Sequence, residues 1–245
     1  MIAVSDLAGS APLDISCAEL PDFDRADPDD VARAFRNQTV MTLRQTWLPQ
    51  PSPAFAPGSV RMGWREDVLW VLADLVDADA FTRATDHNQR FWELGDTFEI
   101  FLRPPGQAAY VELHVAPGNL RLHLRFADAA WMTRDPFVDP FGTSLASAEL
   151  FRSRVWMPSD SARWCVLARI PAGSVCAVPT PLPGSTWAFS FSRYDYTRGA
   201  DEPVLSSTSP HAIAAFHRQH EWGAVRFADA PASVGQRRRD ASFGS

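Results

Sequence analysis

The sequence predicts an all-β fold: an antiparallel β-sandwich, jelly-roll or immunoglobulin-like, with long loops and little helix. Three observations carry this. Short runs of alternating apolar and polar residues recur at turn-like spacing from residue 38 to residue 227, while helix-period runs are few and brief. Prolines outnumber glycines, 20 to 13, which suits loops and short strands better than long helices. Three of the runs, 96–102, 110–115 and 120–126, follow one another through turn-forming connections, as in a meander.

Residues 1–37 are acidic and irregular, and Asp27 or Asp29 is placed to cap a short helix through Val31–Phe35. Gln38 to Trp47 alternates as a first strand, and Pro49, Pro51, Pro53 and Pro57 then make a loop. Val60–Trp64 and the apolar run Leu69–Val76 are the next strands, the second long enough to be central in a sheet. Asp77 to Gln89 is a polar loop. In the meander, Phe98, Ile100 and Leu102 face one way and Thr97, Glu99 and Phe101 the other. Strict alternation assigns Leu120, Leu122, Leu124 and Phe126 to the same core. Glu99, Phe101, Tyr110, Glu112, His114, Arg121, His123 and Arg125 are assigned to the opposite face. Residues 127–160 are expected to be an irregular excursion. Ser161–Ile170, Trp187–Tyr194 and Trp222–Phe227 complete the strands, with residues 199–221 as loop and a helical turn. The organisation predicted is a flexible N-terminus (1–14), one sandwich domain (15–228) and a disordered tail (229–245).

With 46% hydrophobic and 21% charged residues, the chain can bury one sizeable core. A net charge of −6 argues against nucleic acid as a partner, and Arg237-Arg238-Arg239 is too short a run to alter that. All the basic residues are arginines. No apolar stretch reaches membrane-spanning length and no signal peptide is visible, so the expectation is a soluble, cytoplasmic protein without a membrane partner. A start lying upstream would move it outside the cell. Cys17, Cys165 and Cys176 form neither a disulfide framework nor a metal spacing.

The most informative stretch is Arg90–Leu102. Trp92 sits in a loop that passes through Gly95 into a strand carrying Glu99. A half-buried strand with a solvated side explains this, and so does a binding platform with Trp92 as aromatic wall and Glu99 as polar anchor.

The order of motifs resembles the family 9 carbohydrate-binding modules and their relatives in the wider DOMON-type sandwich superfamily. The matching residues are Val60–Trp64, Leu69-Trp70-Val71, Trp92 with Asp96–Phe101, Tyr110–Pro117, Ala162-Arg163-Trp164, Ala168–Pro171 and Glu221–Phe227. Together they span about residues 15 to 228. The resemblance implies a sandwich that holds a saccharide end, mono- or oligosaccharide, between two tryptophans, in the setting of carbohydrate catabolism. Trp92 matches the first tryptophan. Glu99 matches a carboxylate that hydrogen-bonds sugar hydroxyls, although one extra residue separates the two here. The second tryptophan has no match, and its position falls near Phe216. A ligand-site arginine falls near Glu112 and an amide-bearing position near Ser192. Aromatic faces stack on the C–H face of a pyranose, and charged groups take its paired hydroxyls.

Other constellations compete. Glu99 and Glu112 on facing strands could be the carboxylate pair of a glycosidase. His217 and His220, with His211 nearby, could ligate a metal, although no metal is assigned. Asp77, Asp79 and Asp86 have the oxygen chemistry for calcium without the spacing of a recognised loop. Haem held by Met62, Met132 or Met157 with His114 or His123 is a further alternative, but no C-x-x-C-H motif is present. The reading adopted from the sequence is non-catalytic carbohydrate binding without a cofactor. The alternatives are a haem-binding electron-transfer sandwich and a protein-interaction domain.

Overall fold

In the computed structural model the described residues are 11–133, 141–159, 161–176 and 182–229. Most of the N-terminus and tail named above, the Met132 side chain and the Arg237–Arg239 run lie outside them. The architecture is a two-sheet sandwich with little helix. The strands are β1 (Asp14–Cys17), β2 (Met41–Thr42), β3 (Gly58–Arg65), β4 (Val68–Val76), β5 (Thr97–Arg103), β6 (Tyr110–Val115), β7 (Arg121–Phe126), β8 (Arg152–Trp156), β9 (Arg163–Pro171), β10 (Thr186–Asp195), β11 (Val204–Ser207) and β12 (Gly223–Phe227). One sheet has the order β1-β12-β10-β5-β6-β7, with β11 also paired to β10; the other has the order β2-β3-β4-β9-β8. Every ladder is antiparallel except β1 with β12.

Period-2 alternation builds the core between the sheets. Phe98, Ile100, Leu102, Val111, Leu113, Val115, Phe189 and Phe191 pack from the first sheet against Val60, Met62, Trp64, Val71, Ala73, Trp164 and Val166 from the second. Close packing of this kind is the main stabilising term, since burying such side chains contributes roughly 1.5–3 kcal/mol each. Met62, a haem-ligand candidate, is part of this core, whereas His114 faces the other side of its sheet. No disulfide joins any two of the three cysteines. The outer face of the second sheet is closed by α1 (Pro28–Ala34), whose Val31 packs with Phe35, Trp70, Leu72 and Leu167. Asp27 caps that helix by accepting the Asp29 N–H at 2.9 Å, and Pro28 stands in its first turn. No helix among the described residues is long and apolar enough to cross a membrane.

Four differences from the sequence reading have physical causes. The first strand shortens to Met41–Thr42, and the chain beyond it engages the body through single contacts such as the Arg44–Ser207 bridge. Three strands sit where loop was expected: β1, β8 and β11 are short additions, β8 and β11 paired with the neighbouring strands β9 and β10, and β1 paired with β12 at the far end of the chain. The third concerns β7. The connection Ala116–Leu120 sets the register Val115↔Arg121, so His114 opposes Leu122 and Glu112 opposes Leu124. Leu122, Leu124 and Phe126 therefore share the face of Glu112 and His114, not the core of Phe98 and Leu113. A change of one residue in that register would have inverted the strand. Conversely Arg121, His123 and Arg125 turn to the inner side at the sheet edge, where His123 packs on Phe151 and Arg125 donates to the Val175 carbonyl. Lastly, the outer face of β5 and β6 is not solvated. It is roofed by loops, and this roof makes the site.

Candidate functional site

On that outer face the cross-strand register lays down two adjacent rows. One runs Ser207, Ser192, Glu99, His114, Leu122; the next runs Ser190, Phe101, Glu112, Leu124. Directly opposed residues in a sheet have side chains close enough to interact, so the alternation that puts Phe98 and Ile100 in the core also sets Glu99 and Glu112 diagonally adjacent. Above the rows lies a cavity of about 390 Å³. Glu99, Phe101 and Glu112 form its floor. Trp92 and Phe141 stand on one side, Leu124, Phe126 and Trp131 on another, and Tyr194 with residues 214–217 close the rest.

Trp92 is carried on a 3₁₀ turn, Phe91–Glu93, and is half-buried. Its ring meets His114 edge-on at 5.5 Å and Phe141 at 5.7 Å. Its carbonyl accepts a 2.6 Å hydrogen bond from the Tyr196 hydroxyl, which ties the turn to the sheet. Gly95 returns the chain to β5 with φ of +144°, where a Cβ would stand 2.5 Å from the Phe81 carbonyl oxygen. Only glycine fits that backbone. On the other side, the Trp222 indole donates to the Phe216 carbonyl at 2.7 Å and anchors the loop that brings Phe216 and His217 to the cavity. The Phe216 ring leans on Tyr194 and Trp47.

A polar chain runs through the floor. The Trp131 indole donates to the Tyr110 hydroxyl at 2.7 Å, and Tyr110 in turn meets His217 Nδ1 at 2.9 Å. Donation from Tyr110 leaves the proton of a neutral His217 on Nε2, which lies 3.3 Å from Glu112 Oε2. Glu112 Oε1 accepts from His114 Nε2 at 2.7 Å, and the same nitrogen lies 3.5 Å from Glu99 Oε1. Glu99 Oε2 and His114 Nδ1 are buried without a partner. Burial and the Glu112 charge hold the Glu99 carboxyl well above the ordinary range. Burial acts on Glu112 in the same sense, but the two imidazoles beside it outweigh that and hold it below its usual value. Of the two, Glu112 is therefore the more acidic and Glu99 keeps its proton to higher pH; with it, Glu99 can both donate and accept.

Of the residues singled out from sequence, Trp92, Glu99, Glu112 and Phe216 come together around this one cavity. Ser192 lies beside Glu99 in register but is fully buried and bonded to the Ser207 hydroxyl, not among the lining residues. The three histidines grouped in sequence separate: His217 joins the cavity, His211 pairs with Glu221 at 2.9 Å, and His220 is exposed. The acidic loop also disperses, since Asp77 pairs with Arg193, Asp79 with Arg198, and Asp86 accepts from Thr85. Phe141, Tyr194 and the chain from Trp131 to His217 depend on long-range approach, and no local pattern in the sequence announces them.

No protein-family model matches the chain, and no curated protein matches it. Solved structures share its fold. One is a candidate carbohydrate-binding protein from Bacteroides uniformis, 16% identical, with a TM-score of 0.69 over 89% of this chain and 100% of that one. Another is a family 9 carbohydrate-binding module from Caldicellulosiruptor kristjanssonii in complex with cellotriose, 15% identical, with a TM-score of 0.60 over 90% of this chain and 96% of that one. The module in complex with glucose matches equally, at 15% identity and a TM-score of 0.60 over 90% and 98%. The architecture is therefore that of the family 9 modules, as the motif order implies, at an identity that establishes the fold alone.

Proposed function

We propose that this protein binds the end of a mono- or oligosaccharide in the cavity between Trp92 and Phe216, without cleaving it. The observation that supports the reading is the convergence on one cavity of aromatic walls and a buried, unpartnered carboxyl oxygen on Glu99. A pyranose presents an apolar face to such a wall and hydroxyls to such an oxygen, and a hydroxyl that satisfies a buried polar atom contributes both affinity and selectivity. The cavity is about the size that small ligands use. Two solved structures with the same fold hold glucose and cellotriose, which supports neutral sugars as the first candidates. Against hydrolysis, His114 and His217 pair with the two oxygens of Glu112, which ties that carboxylate into the floor.

The test is a glycan-array screen of the purified protein, followed by calorimetric titration with glucose, cellotriose and the best array ligand. Saturable 1:1 binding with no reducing ends released is expected. Absence of binding across the array would overturn the proposal.

A further inference from the structure

The floor of the cavity gathers more ligating chemistry than a sugar hydroxyl requires. Glu99, Glu112 and His114 each present a donor atom within 4.8 Å of the other two, and all three are buried. The ion pairs of both glutamates, among the described residues, are with histidines alone. Elsewhere this chain treats buried carboxylates differently. Asp77 and Asp195 share the fully buried guanidinium of Arg193 at 2.9 Å each, and both oxygens of neighbouring Asp96 accept backbone N–H groups. The carboxylates of that cluster are satisfied from within. The cavity floor is not, because Glu99 Oε2 has no partner although the residue is 2% exposed and lines the cavity.

We propose that Glu99, Glu112 and His114 form a binding site for a divalent transition-metal ion, Zn²⁺ foremost and Mn²⁺ next. The geometry is close to what such an ion needs. Two donors on one ion at about 2.1 Å are about 3.0–3.5 Å apart. His114 Nε2 is already 3.5 Å from Glu99 Oε1, and its 2.7 Å contact to Glu112 Oε1 has to open by about 0.3–0.8 Å once an ion replaces the proton between them. Imidazole with two carboxylates suits Zn²⁺ or Mn²⁺, whereas calcium and magnesium take oxygen ligands. Outer support reaches Glu112, whose second oxygen lies 3.3 Å from His217, itself held by Tyr110, whereas Nδ1 of His114 has no partner. Three protein donors leave an exchangeable position that opens on the cavity. A water or an oxygen of a bound ligand would fill it.

Untagged protein stripped with a chelator should take up one Zn²⁺ per chain in calorimetry, with Mn²⁺ weaker and Ca²⁺ weaker still. Glu99→Gln and His114→Gln, both close in size to the originals, should each weaken Zn²⁺ by at least about tenfold. His220→Ala, at an exposed histidine, should leave it unchanged. As a measurement free of any variant, Zn²⁺ should shift the His114 imidazole resonances of the wild-type protein in NMR. No saturable binding, or stoichiometric binding with His114 resonances unmoved, would overturn the proposal. Metal uptake is read without sugar, so it can fail while glycan binding stands, and glycan binding can fail while it stands.

Discussion

Replacing Trp92 by alanine separates a ligand wall from a packed core residue. A fully buried Trp→Ala change costs about 3–5 kcal/mol. Trp92 is half-buried, with one part of its ring against His114 and Phe141 and another part facing the cavity. About half the packing is lost, or about 2 kcal/mol, and the Tyr196 bond survives because it reaches the backbone carbonyl. In a chain of 245 residues that corresponds to a fall in Tm of about 4–8 °C. Binding should suffer more: losing the wall removes the stacking surface and weakens the best array glycan by at least about tenfold, or about 1.4 kcal/mol. Trp92→Phe, which keeps an aromatic face, should fall between. Urea unfolding measures the first quantity and calorimetric titration the second. A stability loss of 3–5 kcal/mol would refute the half-buried reading. Unchanged glycan affinity would refute the wall and move attention to Trp131 or Phe216.

Other expectations follow from the same contacts. Gly95→Ala should cost more than about 1 kcal/mol and weaken glycan binding, because the strained turn would displace the segment that carries Trp92; a neutral result in urea unfolding would contradict that. Arg193→Met should destabilise by about 3–5 kcal/mol at pH 7, since it leaves Asp77 and Asp195 buried without their cation. Part of the loss should return near pH 5, because burial already raises both carboxyls, Asp195 to about 6, and protonation removes the charge. Burial, with the Arg121 charge acting in the same sense, lowers His123 from 6.5 to about 4. The unfolded chain then takes up this proton first, so the stabilisation is full above about 6.5 and fades as pH falls toward 4. The stability difference between wild type and His123→Gln should therefore shrink by about 2 kcal/mol from pH 7 to pH 5. A difference that stays constant would rule out burial as the cause.

Local alternation in the sequence determined which residues of β5, β6 and β10 face the core, because a pleated strand has a period of two and needs no information from elsewhere. It also determined that Glu99 leaves that core on the side of Phe101, and the motif order indicated the sandwich. The tertiary structure alone decided three things. The register across Ala116–Leu120 inverted β7, since parity between strands depends on how the turn closes and both strands read as alternating in either register. Edge strands β1, β8 and β11 are too short to announce themselves, and their pairing supplies what their pattern lacks. The roof over the outer face draws Trp131, Phe141, Phe216 and His217 from segments far apart in the chain. Trp92 and Glu99 are seven residues apart and legible together, whereas His217 meets Tyr110 across 107 residues, a contact that only the folded packing brings into being.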